Sequence, residues 1–163
     1  ASARFICAAM RVPAWRGARA KIGLHAKMTS LSPLTASLCV AFGGGMGALL
    51  RYQLGRAMTA LLSIQPVGGF PWPTFAANGI GGLGMGLLVG CLARGLGGDF
   101  EEPARLMLGV GLLGGFTTFS SFSLETWLLI EDGQLGIALL YIAASVVLSI
   151  AALVCGLTIT RVF

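Results

Sequence analysis

Charge is scarce in this sequence. Lysine, arginine, aspartate and glutamate together make up 10 % of its 163 residues, against 56 % hydrophobic residues. Soluble domains carry about a quarter charged residues, and the mean hydropathy of +0.87 exceeds what the core of one aqueous domain could absorb. The balance excludes a soluble enzyme and a nucleic-acid partner, and it predicts an integral membrane protein. Histidine is nearly absent as well. The single His25 precedes the apolar part of the chain, so no Ser-His pair can assemble inside a membrane. Cys7, Cys39, Cys91 and Cys155 stand alone without C-x-x-C spacing, and three of them fall in apolar runs. There cysteine acts as a small hydrophobe, not as a zinc ligand or half of a disulfide framework.

Long polar connections are also missing. Apolar stretches over about 34–62, 73–93, 104–130 and 135–160 each reach the roughly 20 residues that cross about 30 Å of hydrocarbon. Between them lie a Pro/Gly turn from Gln65 to Pro73, a charged segment from Arg94 to Arg105 and the acidic turn Glu131-Asp132-Gly133. None has room for a second domain. The expected fold is all-α, with four transmembrane helices forming one membrane domain over 34–163 behind a basic N-terminal extension over 1–33.

That extension carries Arg4, Arg11, Arg16, Arg19, Lys21 and Lys27 before Met28 and no acid. The rest of the chain has five basic against six acidic residues, a net charge of −1. A transit peptide, an anionic-lipid anchor and a cytoplasmic topology signal all fit the extension. So do plain disorder and a mis-assigned start upstream of Met28, and no function is built on it. Without it the positive-inside bias is weak: Arg94 and Arg105 flank the second connection, and Arg161 is expected on the opposite side. A chain so balanced is expected to insert in both directions and to pair antiparallel with itself. Gly43 and Gly47, and Gly82, Gly86 and Gly90, recur every four residues. Such faces let backbones approach closely, either inside one subunit or at a dimer seam. Four helices alone hardly enclose a pathway, so an oligomer is expected.

One stretch imitates a soluble motif. Gly79-Ile80-Gly81-Gly82-Leu83-Gly84 fits G-x-G-x-x-G, with Asp99 placed 20 residues after Gly79. The dinucleotide fingerprint needs a strand on each side, whereas these glycines lie inside an apolar span. The reading is rejected.

Polar residues inside the apolar spans remain, and those are functional by default. Gly114-Gly115-Phe116-Thr117-Thr118-Phe119-Ser120-Ser121-Phe122-Ser123-Leu124-Glu125 sets hydroxyls, rings and a carboxylate at membrane depth. Asn78 adds an amide in the second span. Tyr141, Ser145 and Ser149 follow at i, i+4 and i+8, stacking three hydroxyls on one helix face with about 40° of drift per step. Arg51 and Glu125 are the ionisable groups of the set. Phe119 and Phe122 are interleaved with Thr118, Ser121 and Ser123; a phenyl ring has a positive edge that can stabilise a small anion without trapping it. Glycines at 111, 114 and 115 make a helix break inexpensive.

These residues resemble the small four-helix fluoride channels of the Fluc or CrcB family. The resemblance covers about 41–156 and rests on Gly-Ala-Leu-Leu-Arg-Tyr (47–52), Asn78-Gly79 after Pro-Trp-Pro-Thr (71–74), the run 114–125 and the Tyr141/Ser145/Ser149 row. It implies a third helix broken near its middle and an antiparallel, dual-topology homodimer in the bacterial cytoplasmic (inner) membrane. Two pores, each lined by both subunits, would let fluoride leave passively and lower its toxicity. By the same resemblance Phe119 and Phe122 are pore phenylalanines and Asn78 the pore asparagine. Glu125, Tyr141, Ser145 and Ser149 form a polar track, and Arg51 is the basic residue of the first helix. A structural sodium ion at the dimer centre would be held by the backbone carbonyls of Gly114 and Thr117. Two features depart from the usual form. Ala76-Ala77 precedes Asn78 where a bulkier residue is common, and the basic extension opposes dual insertion, so that a paralogous subunit could supply the partner. A carboxylate on an anion's route should repel unless protonated or paired, so a hydrogen-bonding role is expected of Glu125. Two rivals are a small antiparallel multidrug or cation exporter, which would need a buried carboxylate in the first span, and a membrane assembly protein without transport, which would leave the Phe/Ser/Thr cluster unexplained.

Overall fold

The computed structural model describes residues 31–62 and 69–162; the basic residues before Met28 lie outside the described part. Helix α1 spans Pro33–Leu62 and α2 spans Trp72–Ala93. A 3-10 turn at Gly98–Phe100 leads into α3, which opens at Glu101–Ala104, continues with π-helical backbone over Arg105–Leu113 and closes at Gly114–Phe116. Helix α4 spans Phe119–Glu131 and α5 spans Leu135–Val162. The described residues form helices and no strand. Four spans are long and apolar enough to cross a membrane, α3 and α4 together making the third, Glu101–Glu131. Even the shortest, 22 residues, reaches about 33 Å at about 1.5 Å per residue.

Local chemistry explains where the helices start and stop. The Ser32 hydroxyl accepts from the Thr35 N–H at 3.2 Å and Pro33 begins the first turn, the usual start of a helix. Both α2 and α4 end in a glycine that adopts a left-handed conformation, Gly95 at φ 77° and Gly133 at φ 74°. Each is followed by the two reversed bonds of a Schellman cap: Gly95 N–H to Leu92 and Leu96 N–H to Cys91 at 2.9 and 3.3 Å, Gly133 N–H to Ile130 and Gln134 N–H to Leu129 at 3.0 and 2.8 Å.

Few apolar side chains are buried: Ala77, Phe116, Leu129, Ala138 and Tyr141. Most large apolar residues, among them Leu34, Phe42, Leu139 and Val147, point outward, the pattern of a bundle whose solvent is lipid. Helix α1 packs along α3, and α2 along α5. The glycine rows make these contacts. A Cβ on Gly47 would strike the Leu112 carbonyl, and one on Gly86 the Leu153 carbonyl. The rows thus serve packing within one chain, which settles the two readings the spacing left open.

Helix parity corrects one expectation. The Arg94 guanidinium donates to the Thr160 carbonyl at 2.7 Å, which ties the α2–α3 connection to the end of α5. Arg161 therefore shares an end with Arg94 and Arg105; it does not oppose them. An even number of crossings returns the chain to the end where it started, so the start of α1 belongs there too. The connection over 63–71 at the other end has no Lys or Arg, which leaves Arg51 and Arg56 of α1 as the basic residues nearest it. The charge distribution is less balanced than the expectation that Arg161 opposes Arg94 and Arg105 implies.

Overpacking at a closed helix seam costs about 1–3 kcal/mol. Gly47→Val and Gly86→Val should each lower the unfolding temperature of the detergent-solubilised chain and its yield. Gly45→Ala, at a position with nothing within 4 Å, should leave both unchanged. Equal behaviour of all three would show that the glycine seams do not hold the bundle.

Candidate functional site

The site is built around the interruption between α3 and α4. Thr117 (φ −79°, ψ 157°) and Thr118 (φ −150°, ψ 124°) are extended, so the third span loses helical bonding at membrane depth. An unsatisfied backbone group in an apolar medium costs about 2–7 kcal/mol. The Asn78 amide removes that cost on both sides of Thr118: its Oδ1 accepts the Thr118 N–H at 2.9 Å and its Nδ2 donates to the Thr118 carbonyl at 3.2 Å. The Thr118 side chain then caps α4, its hydroxyl oxygen accepting the Ser121 N–H at 3.2 Å and its O–H donating to Ser121 Oγ at 3.2 Å.

This rearrangement takes the usual helix donor away from two carbonyls. In a continuous helix the Thr118 N–H would bond the Gly114 oxygen and the Ser121 N–H would bond the Thr117 oxygen. Both donors are instead committed, to Asn78 and to Thr118 Oγ1. Thr117 itself stays tied to α3, its N–H and its hydroxyl both donating to the Leu113 carbonyl at 3.0 and 2.9 Å. The Gly114 and Thr117 oxygens are hard neutral donors of the kind that suits a hard cation.

The break opens onto a cleft of about 510 Å³ lined by Asn78, Thr117, Thr118, Phe119, Phe122, Ser145 and Ser149, together with apolar side chains and glycines. Among the described residues no charged side chain lines it. The Phe119 and Phe122 rings lie 5.5 Å apart at 41°; Phe119 is 78 % exposed. Ser145 is 6 % exposed, and its Oγ is a buried side-chain polar atom with no partner among the described residues.

Other residues expected at the site lie elsewhere. Glu125 faces the interior, Oε1 accepting from the Thr74 hydroxyl at 2.7 Å and Oε2 from the Tyr141 hydroxyl at 2.7 Å. One carboxyl group thus joins α2, α4 and α5. Tyr141 is fully buried, its ring 5.1 Å from Phe122 and 5.3 Å from Phe70, so it belongs to the packing as much as to the polar row. Ser123 donates back to the Phe119 carbonyl at 2.9 Å on an exposed face. Arg51 and Ser121 line a separate cleft beside Thr74.

Thr74 escaped the sequence reading although it contacts Glu125 directly. A signal existed: Thr74 and Asn78 are four apart and share one face of α2. The pairing role of Asn78 was equally hidden, because no pattern shows which backbone group an amide will meet.

The chain is similar to known proteins over most of its length. Residues 38–157 match the family model described as CrcB-like protein, Camphor Resistance (CrcB). The chain is 52 % identical over 136 residues, 83 % of its length and 99 % of the relative's, to a "Fluoride-specific ion channel FluC" of Erythrobacter litoralis. It is 56 % identical over 128 residues, 78 % of its length and 98 % of the relative's, to the protein of that name from Novosphingobium aromaticivorans. A third, from Phenylobacterium zucineum, is 51 % identical over 128 residues, 78 % of this chain and 97 % of the relative.

Removing one donor from Glu125 leaves a buried acceptor unsatisfied, at about 1–3 kcal/mol. Tyr141→Phe and Thr74→Val should each lower the unfolding temperature in detergent. In the Glu125→Ala background either substitution should cost much less, since the shared acceptor is gone. Full additivity in that cycle would show that the three side chains act independently.

Proposed function

The chain belongs to the CrcB family, and from that premise we propose that it is a fluoride-selective channel, a multi-pass protein of the bacterial inner membrane that lets fluoride leave the cell passively. The observation that carries this reading is the uncharged cleft at the helix break. Fluoride gives up its hydration shell only where other donors replace it, and a full positive charge would hold it too tightly to pass. The cleft offers neutral donors instead: the second N–H of Asn78, the Ser145 hydroxyl, which has no partner among the described residues, and the Ser149 hydroxyl. The Phe119 and Phe122 rings, which line the cleft, carry positive edges that can meet a small anion. Glu125 accepts from Tyr141 and Thr74 and is not among the residues that line the cleft, which supports a hydrogen-bonding role for it. Ser123 lies on the outer face beside Phe119 and would meet the route from a second subunit. Arg51 and Ser121 would act at its mouth. No covalent step is involved, and the protein is not an enzyme. The exporter reading lacks its carboxylate, since α1 contains Arg51 and Arg56 and no acid. An assembly role leaves the polar cleft without a purpose.

The cleft is open on one side, and the exposure of Phe119 supports closure by a second subunit. The antiparallel homodimer with two pores is the reading the family resemblance favours. A paralogous second subunit is the alternative that the basic extension and the shared end of Arg94, Arg105 and Arg161 favour, because such a bias opposes insertion in both directions. The carbonyls of Gly114 and Thr117, repeated in the second subunit, would hold a structural sodium ion, which would supply positive charge where carbonyl dipoles converge.

Fluoride efflux from proteoliposomes, followed with a fluoride electrode, tests the pore. The chain should release fluoride and retain chloride. Phe119→Ile and Phe122→Ile should abolish release without loss of the dimer on size exclusion, and Asn78→Asp should block it by placing negative charge at the break. Vesicles that hold the intact protein and release no fluoride would overturn the reading. For the ion, exchanging sodium for N-methylglucamine should lower the unfolding temperature; a temperature indifferent to sodium would remove the ion from the proposal.

A further inference from the structure

Gly81 stands apart from the glycine row of α2. Gly82 and Gly86 lie against backbone carbonyls of α5, those of Ser149 and Leu153, and so serve the α2–α5 seam. Gly81 is buried and faces the helix break: a Cβ there would overlap Thr117 Cγ2 and lie 3.6 Å from the Phe116 ring. Asn78 comes three residues earlier, on the same face of α2. The helix therefore meets the break at two successive points, with an amide against the Thr118 peptide and with no side chain against the Thr117 methyl.

Thr117 has little room to yield. Its N–H and its hydroxyl both donate to the Leu113 carbonyl, and a β-branched side chain has few χ1 rotamers, so turning the methyl aside carries the hydroxyl off its acceptor. Moving the backbone instead drags Thr118 away from Asn78. A methyl added at position 81 would push at Thr117 while the same helix holds Thr118. We propose that Gly81 is a positioning residue: its bare backbone lets the Thr117 methyl seat against α2, and this contact fixes where Thr117, with its carbonyl oxygen, sits. The inference rests on the sodium site proposed for the Gly114 and Thr117 carbonyls, and it assigns the geometry of that site to a matched pair, no side chain at 81 and a methyl at 117. Binding constellations tolerate displacements of only about 0.5 Å, so a shift of Thr117 weakens the hold on a cation.

The test is the unfolding temperature of the detergent-solubilised chain as sodium replaces N-methylglucamine, read as the sodium concentration that gives half of the stabilisation. Gly81→Ala should raise that concentration about tenfold. Thr117→Ser removes the methyl and keeps the hydroxyl, and in the Gly81→Ala background it should return the concentration to within about twofold of the unsubstituted value. Gly86→Ala, which crowds the α2–α5 seam, should lower the unfolding temperature with and without sodium and leave that concentration unchanged, which separates positioning from general destabilisation. If Gly81→Ala alone does not assemble, the double substitution should assemble and respond to sodium like the unsubstituted chain. An unchanged half-stabilising concentration in Gly81→Ala, or no recovery on adding Thr117→Ser, overturns the inference. So does an unfolding temperature that ignores sodium. Fluoride efflux of the unsubstituted chain is a separate outcome: its absence, with the sodium response and its compensation intact, sinks the channel reading and leaves the role of Gly81 standing.

Discussion

A peptide group stripped of its partner inside hydrocarbon is among the most expensive defects a fold can carry, and the third span contains such a defect at Thr118. The Asn78 amide matches it on both sides, taking its N–H and supplying its C=O with a donor. Remove that pairing and the lowest-energy course for residues 114–121 is to close into continuous helix, which would turn Phe119 to another face and recapture the Gly114 and Thr117 carbonyls. The start of α4 follows from that pairing, since the residue Asn78 holds, Thr118, is also the cap of α4.

The remaining architecture holds α2 where Asn78 can act. Glycine seams bring α2 against α5 and α1 against α3 at backbone contact, a distance any larger side chain would forbid. At one end Glu125 gathers Thr74 and Tyr141, and at the other Arg94 grips the last turn of α5. Between these ties the bundle is nearly all backbone packing and lipid-facing side chains. Its few internal polar groups therefore govern geometry far more than they would in a protein with a large core. A scaffold this sparse can present neutral donors in fixed positions, which is what passage of a strongly hydrated anion demands.

Particular residues show why some of this was readable beforehand and some was not. The four spans follow from length and apolarity, because hydrocarbon thickness is a local constraint; the break is what the family resemblance implies, and although glycines precede it, Gly114 is itself helical and the chain leaves the helix at Thr117 and Thr118. Phe119, Phe122, Asn78, Ser145 and Ser149 could be picked out as candidates since polar and aromatic side chains at that depth need a reason, and they do line one cleft. Thr74 was passed over because a threonine at the start of a helix ordinarily means a cap or a surface position. Arg161 lies at the end of Arg94 because an even number of crossings returns the chain to the end where α1 starts, a relation of the whole bundle that a local charge pattern does not display.

Taken alone, the order of residues determined the solvent, the number of crossings and the inventory of groups that lipid would not accept unpaired, for these depend on composition and on spacing along one helix. Only the tertiary structure decided which partner each group took. It set Asn78 against Thr118, Glu125 between Thr74 and Tyr141, the glycine rows inside the subunit, and Arg51 in a different cleft from the phenylalanines. The hydrogen-bonded pairings among these join residues 16 to 51 positions apart. They follow from how helices cross and how closely their backbones approach, a relation that no local spacing encodes.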